Sequence, residues 1–208
     1  MHKNFKETTY DLLAKLKREV TRPELSGFGQ TVESPLNVDA LSNEQKHVYE
    51  TLPTSVQNWL ALCNGIDVDE RLYGLDEIIE TRKLFDIWQE KGWTPIGDDG
   101  CGNYYVCVPY TVNAEIRFPV VFLDSEWDYR GYIVASDPAV FYVEQLKETL
   151  VALAAEDDEA ESWIFDEKTR LAEDPEITTF GIPLSWDVNY ENAFGVPVWD
   201  DDIDEEDK

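Results

Sequence analysis

Three short apolar runs in the second half of the chain constrain its fold more than any other feature. They are Tyr104–Val108, Pro119–Leu123 and Tyr132–Ala135, and turn residues separate them. Runs of this length, rich in valine and aromatic residues, are typical of strands in a sheet that is covered on at least one face. Trp93–Ile96 is a further short extended run. The sequence therefore predicts a β-sheet in this half of the chain.

Helical periodicity dominates the first half. Apolar residues recur on one face between Phe5 and Val20, opposite lysine and glutamate. Ser42, followed three residues later by Gln45, fits a capping box at the start of a second helix. Pro53 suits the first turn of a third helix.

Two later helices and a short strand complete the pattern. Leu72-Tyr73-Gly74 is predicted as a strand, and Asp76 as the cap of a helix that ends at Gly92. Asp137 and Pro138 fit the cap and the first position of a last long helix.

Acidic residues outnumber basic ones by 44 to 17, which gives a net charge of −27. A field of this sign repels nucleic-acid phosphates and anionic membranes. The densest basic cluster, Lys15, Lys17 and Arg18, occupies only one short helical stretch. A basic protein partner is favoured, because complementary fields speed encounter. The alternative is that the acidity serves solubility alone.

The charge is concentrated after Glu156. From there to Lys208 the chain has 19 acidic and 3 basic residues, yet it also contains aromatic residues such as Trp186 and Trp199. Aromatic side chains at this density need a surface to pack on. We therefore expect an appendage that docks on the core or on a partner, and a frayed acidic tail from Asp200 onward.

The predicted organisation is an N-terminal helix and loop (1–41), a domain (42–155) and an acidic extension (156–208). The N-terminus has no apolar signal-peptide core, and no segment is apolar for long enough to span a bilayer. The three cysteines make no CxxC pair, which is typical of reduced thiols. These features predict a cytoplasmic protein.

Motifs for catalysis are weak. His2 and His47 have no evident orienting partner. The run Gly97–Asn103 fails the dinucleotide pattern, because Tyr105 stands where a third glycine is needed. Its adjacent aspartates would also repel phosphate. A tight turn is the better interpretation.

Calcium-binding motifs are also incomplete. Asp67-Val68-Asp69 begins like a calcium loop, but Leu72 and Ile78 occupy the positions that need glycine and glutamate. Pairs of carboxylates are too abundant here to indicate a hydrolase. We predict no catalytic residue, no cofactor and no metal, and keep an unrecognised hydrolase as the least favoured alternative.

Several short motifs follow one another in a recognisable order. In chain order they are Leu52-Pro53, Trp59-Leu60, Asn64-Gly65, Leu72-Tyr73-Gly74, Trp93 with Pro95 to Tyr104, Pro119-Val120 and a late helix with Phe141. This series resembles the SUKH superfamily, which groups bacterial immunity proteins with fungal cell-wall regulators of the Smi/Knr type. The resemblance covers about Ser42 to Leu153.

The resemblance implies an α+β fold, with a mixed, largely antiparallel sheet and helices packed against it, and no catalytic centre. It implies a protein that binds and neutralises a toxin, often a nuclease, or a regulatory or scaffold protein of the Smi/Knr type without a toxin. For the interface we predict loop acids and two aromatic anchors of the extension. These candidates are Asp67, Asp69, Glu70, Asp98, Asp99, Trp186 and Trp199.

Overall fold

The computed structural model describes residues 2–22, 30–68, 70–124, 130–154, 164, 166–182 and 184. Within these ranges the helices are α1 His2–Glu19, α2 Asn43–Thr51, α3 Thr54–Leu60, α4 Leu75–Arg82, α5 Asp86–Lys91, α6 Pro138–Ala154 and α7 Glu167–Glu173. The strands are β1 Thr31–Val32, β2 Ile66–Asp67, β3 Arg71–Leu72, β4 Thr94–Asp98, β5 Tyr104–Cys107, β6 Tyr110–Val112, β7 Glu115–Arg117, β8 Val120–Asp124 and β9 Arg130–Ala135. Short 3-10 helices span Val38–Ala40 and Pro175–Phe180. None of the helices described here is long and apolar enough to cross a membrane.

Seven strands form one sheet in the order β1-β2-β3-β4-β5-β8-β9. All the neighbouring pairs in it are antiparallel. The order follows the chain, apart from the separate β6–β7 hairpin that interrupts it. Helices pack against this sheet, so the α+β fold is confirmed.

A row of three buried aromatic residues crosses the sheet. Tyr105 on β5 lies opposite Phe122 on β8, which in turn lies opposite Tyr132 on β9. Their ring centroids are 5.3 Å and 5.6 Å apart. Alternate residues of a strand share a face, so each apolar run supplies one member of this row. The three strands predicted from those runs are confirmed.

Apolar residues of the sheet are buried on both faces. On one face, Leu16 of α1 joins the core with Trp59 of α3 and Tyr142 of α6. The last two rings stack with centroids 4.3 Å apart. On the other face, Trp88 of α5 packs with Val106 of β5.

The C-terminal segment, by which we mean residues 166–182, packs against β9 at one end of the sheet. Ile177, Phe180 and Ile182 bury Ile133 of β9. The predicted docking of the extension on the core is therefore confirmed for this segment. The predicted acidic tail lies outside the described residues.

A buried cation holds the C-terminal segment in place. Arg170 of α7 is 1% exposed and donates hydrogen bonds to the backbone carbonyl oxygens of Ile164 and Leu184. Its guanidinium carbon lies 4.7 Å from the ring centroid of Tyr132. The segment is thus joined to the sheet by this cation–π contact as well as by apolar packing.

Local signals place most helix ends correctly. The capping box of α2 is present: the backbone N–H of Gln45 donates to Ser42 Oγ at 3.2 Å, and that of Ser42 donates to Gln45 Oε1 at 2.9 Å. Gly92 ends α5 in the left-handed region, with φ of 69°. Asp137 Oδ1 accepts a hydrogen bond from the N–H of Ala139, as expected of a cap.

Two predicted helix starts are wrong. Asp76 lies in the first turn of α4, not at its cap. Gly74 is the N-cap, and its N–H donates to the carboxylate of Glu77 at 2.9 Å. The helix predicted to run to Gly92 is divided into α4 and α5. Pro53 is the N-cap of α3, one residue before the helix begins.

Candidate protein-binding face

Carboxylates from three elements surround Arg71 of β3. Its guanidinium nitrogens lie 2.6 Å from Glu77 of α4, 3.7 Å from Asp98 of β4 and 4.0 Å from Asp67 of β2. Strand pairing produces this arrangement, because Arg71 is the register partner of Asp67 on one side and of Asp98 on the other. We call these four residues the Arg71 cluster. It contains one positive and three negative side chains.

The Arg71 cluster is open to solvent on one side. The side chains of Asp67, Arg71 and Glu77 are 62%, 44% and 39% exposed. Burial acts to lower the pKa of Arg71, but the negative charges of Glu77, Asp98 and Asp67 outweigh it, so that the pKa is raised. Arg71 therefore keeps its charge and neutralises only part of the surrounding carboxylates.

Asp98 is the inward member of the Arg71 cluster. It is the last residue of β4 and is 8% exposed, so the prediction that it lies in a loop is wrong. The Tyr73 hydroxyl donates to Asp98 Oδ2 at 2.6 Å, and the Gly100 N–H donates to Oδ1 at 2.8 Å. Burial, and then this bond to Asp98, raises the pKa of Tyr73. Asp98 thus fixes the start of the loop between β4 and β5.

Asp99 organises the same loop from within. Its Oδ1 accepts the N–H of Cys101 at 2.9 Å and that of Asn103 at 3.2 Å. Its Oδ2 accepts the side-chain amide of Asn103 at 2.7 Å. An aspartate that bonds its own backbone two residues on is typical of a tight turn, as predicted for this run.

Glu70 extends into the protein. Burial raises the pKa of Tyr105 well above its ordinary value, and the negative charge of the nearby Glu70 carboxylate adds to the effect. Asp69, Trp186 and Trp199 lie outside the described residues. Of the predicted candidates, Asp67 is the one the structure shows as clearly exposed. A role in partner binding stays a prediction for all seven.

Sequence reasoning missed the two residues that organise this face, Arg71 and Glu77. Arg71 stands out only once the pairing of β2, β3 and β4 brings three carboxylates to it. Glu77 had a local signal, because it follows the cap Gly74 by three residues, the spacing of a capping box. Asp76, also exposed on α4, accepts a hydrogen bond from the Gln45 side chain at 2.6 Å, which joins α2 to this face.

Histidine and cysteine, two side chains that often act as base or nucleophile, are few in the part of the chain that the structure describes. Of the two histidines, His2 begins α1 and His47 is exposed on α2. No three histidine, cysteine, aspartate or glutamate residues among those described could together hold a metal ion. Burial raises the pKa of the Cys63 thiol to about 11, and that of Cys107 well above its usual value. These two thiols therefore stay protonated near neutral pH.

The sequence matches the family model described as SMI1 / KNR4 family (SUKH-1) over residues 35–144, more than half of the chain. The chain belongs to the SMI1/KNR4 family. Domains of this family bind partner proteins. The matched range contains the whole Arg71 cluster, whereas α1, β1 and α7 lie outside it. No curated protein sequence matches the chain at a significant level.

Two glycines of the SMI1/KNR4-like motifs lie where backbones approach closely. A Cβ atom on Gly74 would be 2.2 Å from the carbonyl oxygen of Asn64, and one on Gly97 would be 2.4 Å from that of Arg71. The Asn64 side chain also accepts the N–H of Leu75 at 3.0 Å. These motif residues hold α4 and the β3–β4 pair in position. They thereby fix the backbone from which Arg71, Glu77 and Asp98 of the Arg71 cluster extend.

Proposed function

We propose that this chain is a non-enzymatic immunity protein that binds a basic toxin domain and neutralises it by covering its working surface. The observation that carries the proposal is the Arg71 cluster, with its surplus of partly exposed carboxylates on a family domain that binds partners. The net charge of −27 extends the same negative field over the molecule. A nuclease toxin, which needs basic residues to hold phosphates, is a partner of matching charge.

Arg71 has a positioning role in this mechanism. It holds the carboxylates of Glu77 and Asp67 close together, which their mutual repulsion would otherwise oppose. A lysine or arginine of the toxin then pairs with the exposed side of the cluster. Exposed ion pairs contribute only about 0–1 kcal/mol each. The face therefore speeds encounter and sets orientation, and apolar packing elsewhere must supply most of the affinity.

Co-expression tests the biological role. The chain is produced together with the protein encoded by the neighbouring gene, in cells that this protein kills. We expect survival to require this chain and purification to recover the two as a complex. Equal survival of cells without this chain would overturn the proposal.

Charge reversal tests the role of the Arg71 cluster in that complex. Asp67→Lys is compared with Asp11→Lys, which changes an exposed aspartate on α1 by the same charge. We expect the association rate constant to fall several-fold more for Asp67→Lys at low salt, and the difference to shrink at high salt as charges are screened. Equal rate constants for the two variants would rule out this face as the docking surface.

The alternative is a regulatory or scaffold protein of the Smi/Knr type, which the family match supports equally well. In that case the neighbouring gene product would not bind. Affinity purification would instead recover several housekeeping proteins, in amounts that Asp67→Lys reduces and Asp11→Lys does not.

A further inference from the structure

A groove of about 460 Å³ runs across the N-terminal half of α6. Its apolar lining comes from Phe5 of α1 and from Ala139, Val140 and Val143 of α6. These four residues are half-buried, whereas Phe141, Tyr142 and Leu146 of the same helix are fully buried in the core. The groove is thus an apolar strip that the described part of the chain leaves partly uncovered.

The rim of the groove is charged. Asp137, Glu144 and Glu173 lie on it. Arg117, also on the rim, already pairs with Glu176 and lies 5.2 Å from the ring centroid of Phe180.

Lys147 is paired as well. Its Nζ lies 2.6 Å from Glu144 and 3.9 Å from Glu173. The two cations beside the groove, Arg117 and Lys147, are thus already paired. The carboxylates around them number four: Asp137, Glu144, Glu173 and Glu176. The surplus of negative charge on the rim favours an occupant that carries positive groups on either side of an apolar side chain.

The groove lies at the boundary between the matched family range and the helices on either side of it. Ser55, Arg117 and residues 136–144 belong to the matched range 35–144, whereas Phe5, Thr8 and Glu173 come from α1 and α7 outside it. A family domain without these two helices would lack two walls of the groove. The groove therefore lies where the matched range meets the parts of the chain outside it.

We propose that this groove receives an aromatic or branched aliphatic side chain from a lysine- or arginine-rich segment of the partner protein. This inference rests on the proposed function and supplies the apolar contact that the Arg71 cluster lacks. A volume of this order accommodates a bulky side chain and its neighbours. A second copy of this chain is disfavoured as the occupant, because two molecules of charge −27 repel. Nucleic acid is disfavoured for the same reason.

The first experiment uses a synthetic peptide, Lys-Lys-Phe-Leu-Lys-Lys, added to the full chain labelled at its methyl groups. We expect NMR shifts at Ala139, Val140 and Val143, and none at Val151, an exposed valine on the same helix. Peptides with Ser-Ser in place of Phe-Leu, or with glutamate in place of lysine, should bind at least about tenfold more weakly, as expected when an anchor is removed. Shifts that avoid the groove, or equal binding of the Ser-Ser peptide, would overturn the inference.

The second experiment uses variants. Val143→Lys places a charge in the groove, and Val151→Lys makes the same change outside it. Glu173→Lys changes a charge on the rim and leaves the apolar lining intact. A loss of binding in this variant is therefore not explained by misfolding of the groove. We expect Val143→Lys and Glu173→Lys to weaken peptide binding about tenfold, with Val151→Lys unchanged.

The same variants are then tested against the toxin. Unchanged toxin affinity in Val143→Lys and Glu173→Lys would overturn the proposal that the groove binds the partner. It would leave the proposed immunity role unaffected. Failure of the unmodified chain to bind the toxin at all would overturn the role itself.

Discussion

Asp174 accepts two hydrogen bonds from Ser136, one from the backbone N–H at 2.6 Å and one from the hydroxyl at 2.9 Å. Both residues are buried, and they are 38 positions apart in the chain. Ser136 directly follows β9, and Asp174 lies between α7 and the 3-10 helix Pro175–Phe180. This contact ties the C-terminal segment to the family domain.

Replacing Asp174 by alanine should lower the free energy of unfolding by about 1–3 kcal/mol, because it leaves a buried N–H and hydroxyl of Ser136 without their acceptor. Asp174→Asn keeps one carbonyl acceptor and should lose less. Urea unfolding of the two variants measures the difference. An alanine variant as stable as the original chain would show that the segment contributes no stability through this contact.

Stability should also depend on pH through Asp174. Burial raises its pKa, hydrogen bonds from Ser136 oppose that effect, and the charge of Glu176 adds to it. The folded state then holds this proton more tightly than the unfolded state does. The contribution is fully present below the unfolded pKa and is lost as pH rises through the raised folded pKa.

The comparison that isolates this effect is the stability of the original chain minus that of Asp174→Asn, measured by urea unfolding from about pH 3 upward. This difference should decrease as pH rises through the acid range, because the original chain loses stability relative to Asp174→Asn. A difference that moves in the opposite direction would mean that the hydrogen bonds outweigh burial.

Removing the central cation of the Arg71 cluster should cost little stability but should change the response to salt. Arg71→Ala leaves Glu77, Asp67 and Asp98 without their shared counter-charge. Because the site is partly exposed, we expect a loss of about 1 kcal/mol or less at low salt. Added salt should restore most of it, since screening weakens the remaining repulsion.

The matched control is Lys83→Ala, which removes the cation of an exposed pair with Glu80. Its stability should change little at any salt concentration. If Arg71→Ala and Lys83→Ala respond alike in urea unfolding, Arg71 does not hold the carboxylates together.

The close approach at Gly97 predicts a steric penalty. Gly97→Ala would place a Cβ atom 2.4 Å from the carbonyl oxygen of Arg71, so β3 and β4 must separate. We expect a loss of about 1–3 kcal/mol or more, typical of overpacking. Gly100→Ala meets nothing within 4 Å, although its φ of 73° disfavours alanine by about 1 kcal/mol. Thermal unfolding should rank Gly97→Ala as the more damaging change, and the reverse order would contradict a steric role.

The sequence predicts those features whose cause lies within a few residues. The capping box at Ser42 and the left-handed end at Gly92 are of this kind, and so are the strands around Tyr105 and Tyr132. The motif series also leads to the correct family. In each case a short pattern reflects one local requirement of the backbone.

Other features were missed, either because the local pattern is atypical or because the contacts are distant in sequence. The β6–β7 hairpin turns at Asn113 and Ala114, both with positive φ, and alanine gives no signal for such a turn. Glu70 lies close enough to Tyr105 of a later strand for its charge to help raise the pKa of that hydroxyl. The Arg71 cluster exists only because strand register aligns three strands.

The contact between Ser136 and Asp174 also bears on how the chain is synthesised. The matched family range, residues 35–144, leaves the ribosome before the C-terminal segment does. Until that segment follows, Ile133 of the edge strand β9 lacks the apolar partners Ile177, Phe180 and Ile182. An uncovered edge strand is a template for pairing with other chains. We therefore expect the nascent protein to be more prone to aggregation between the emergence of β9 and that of Asp174 than after it.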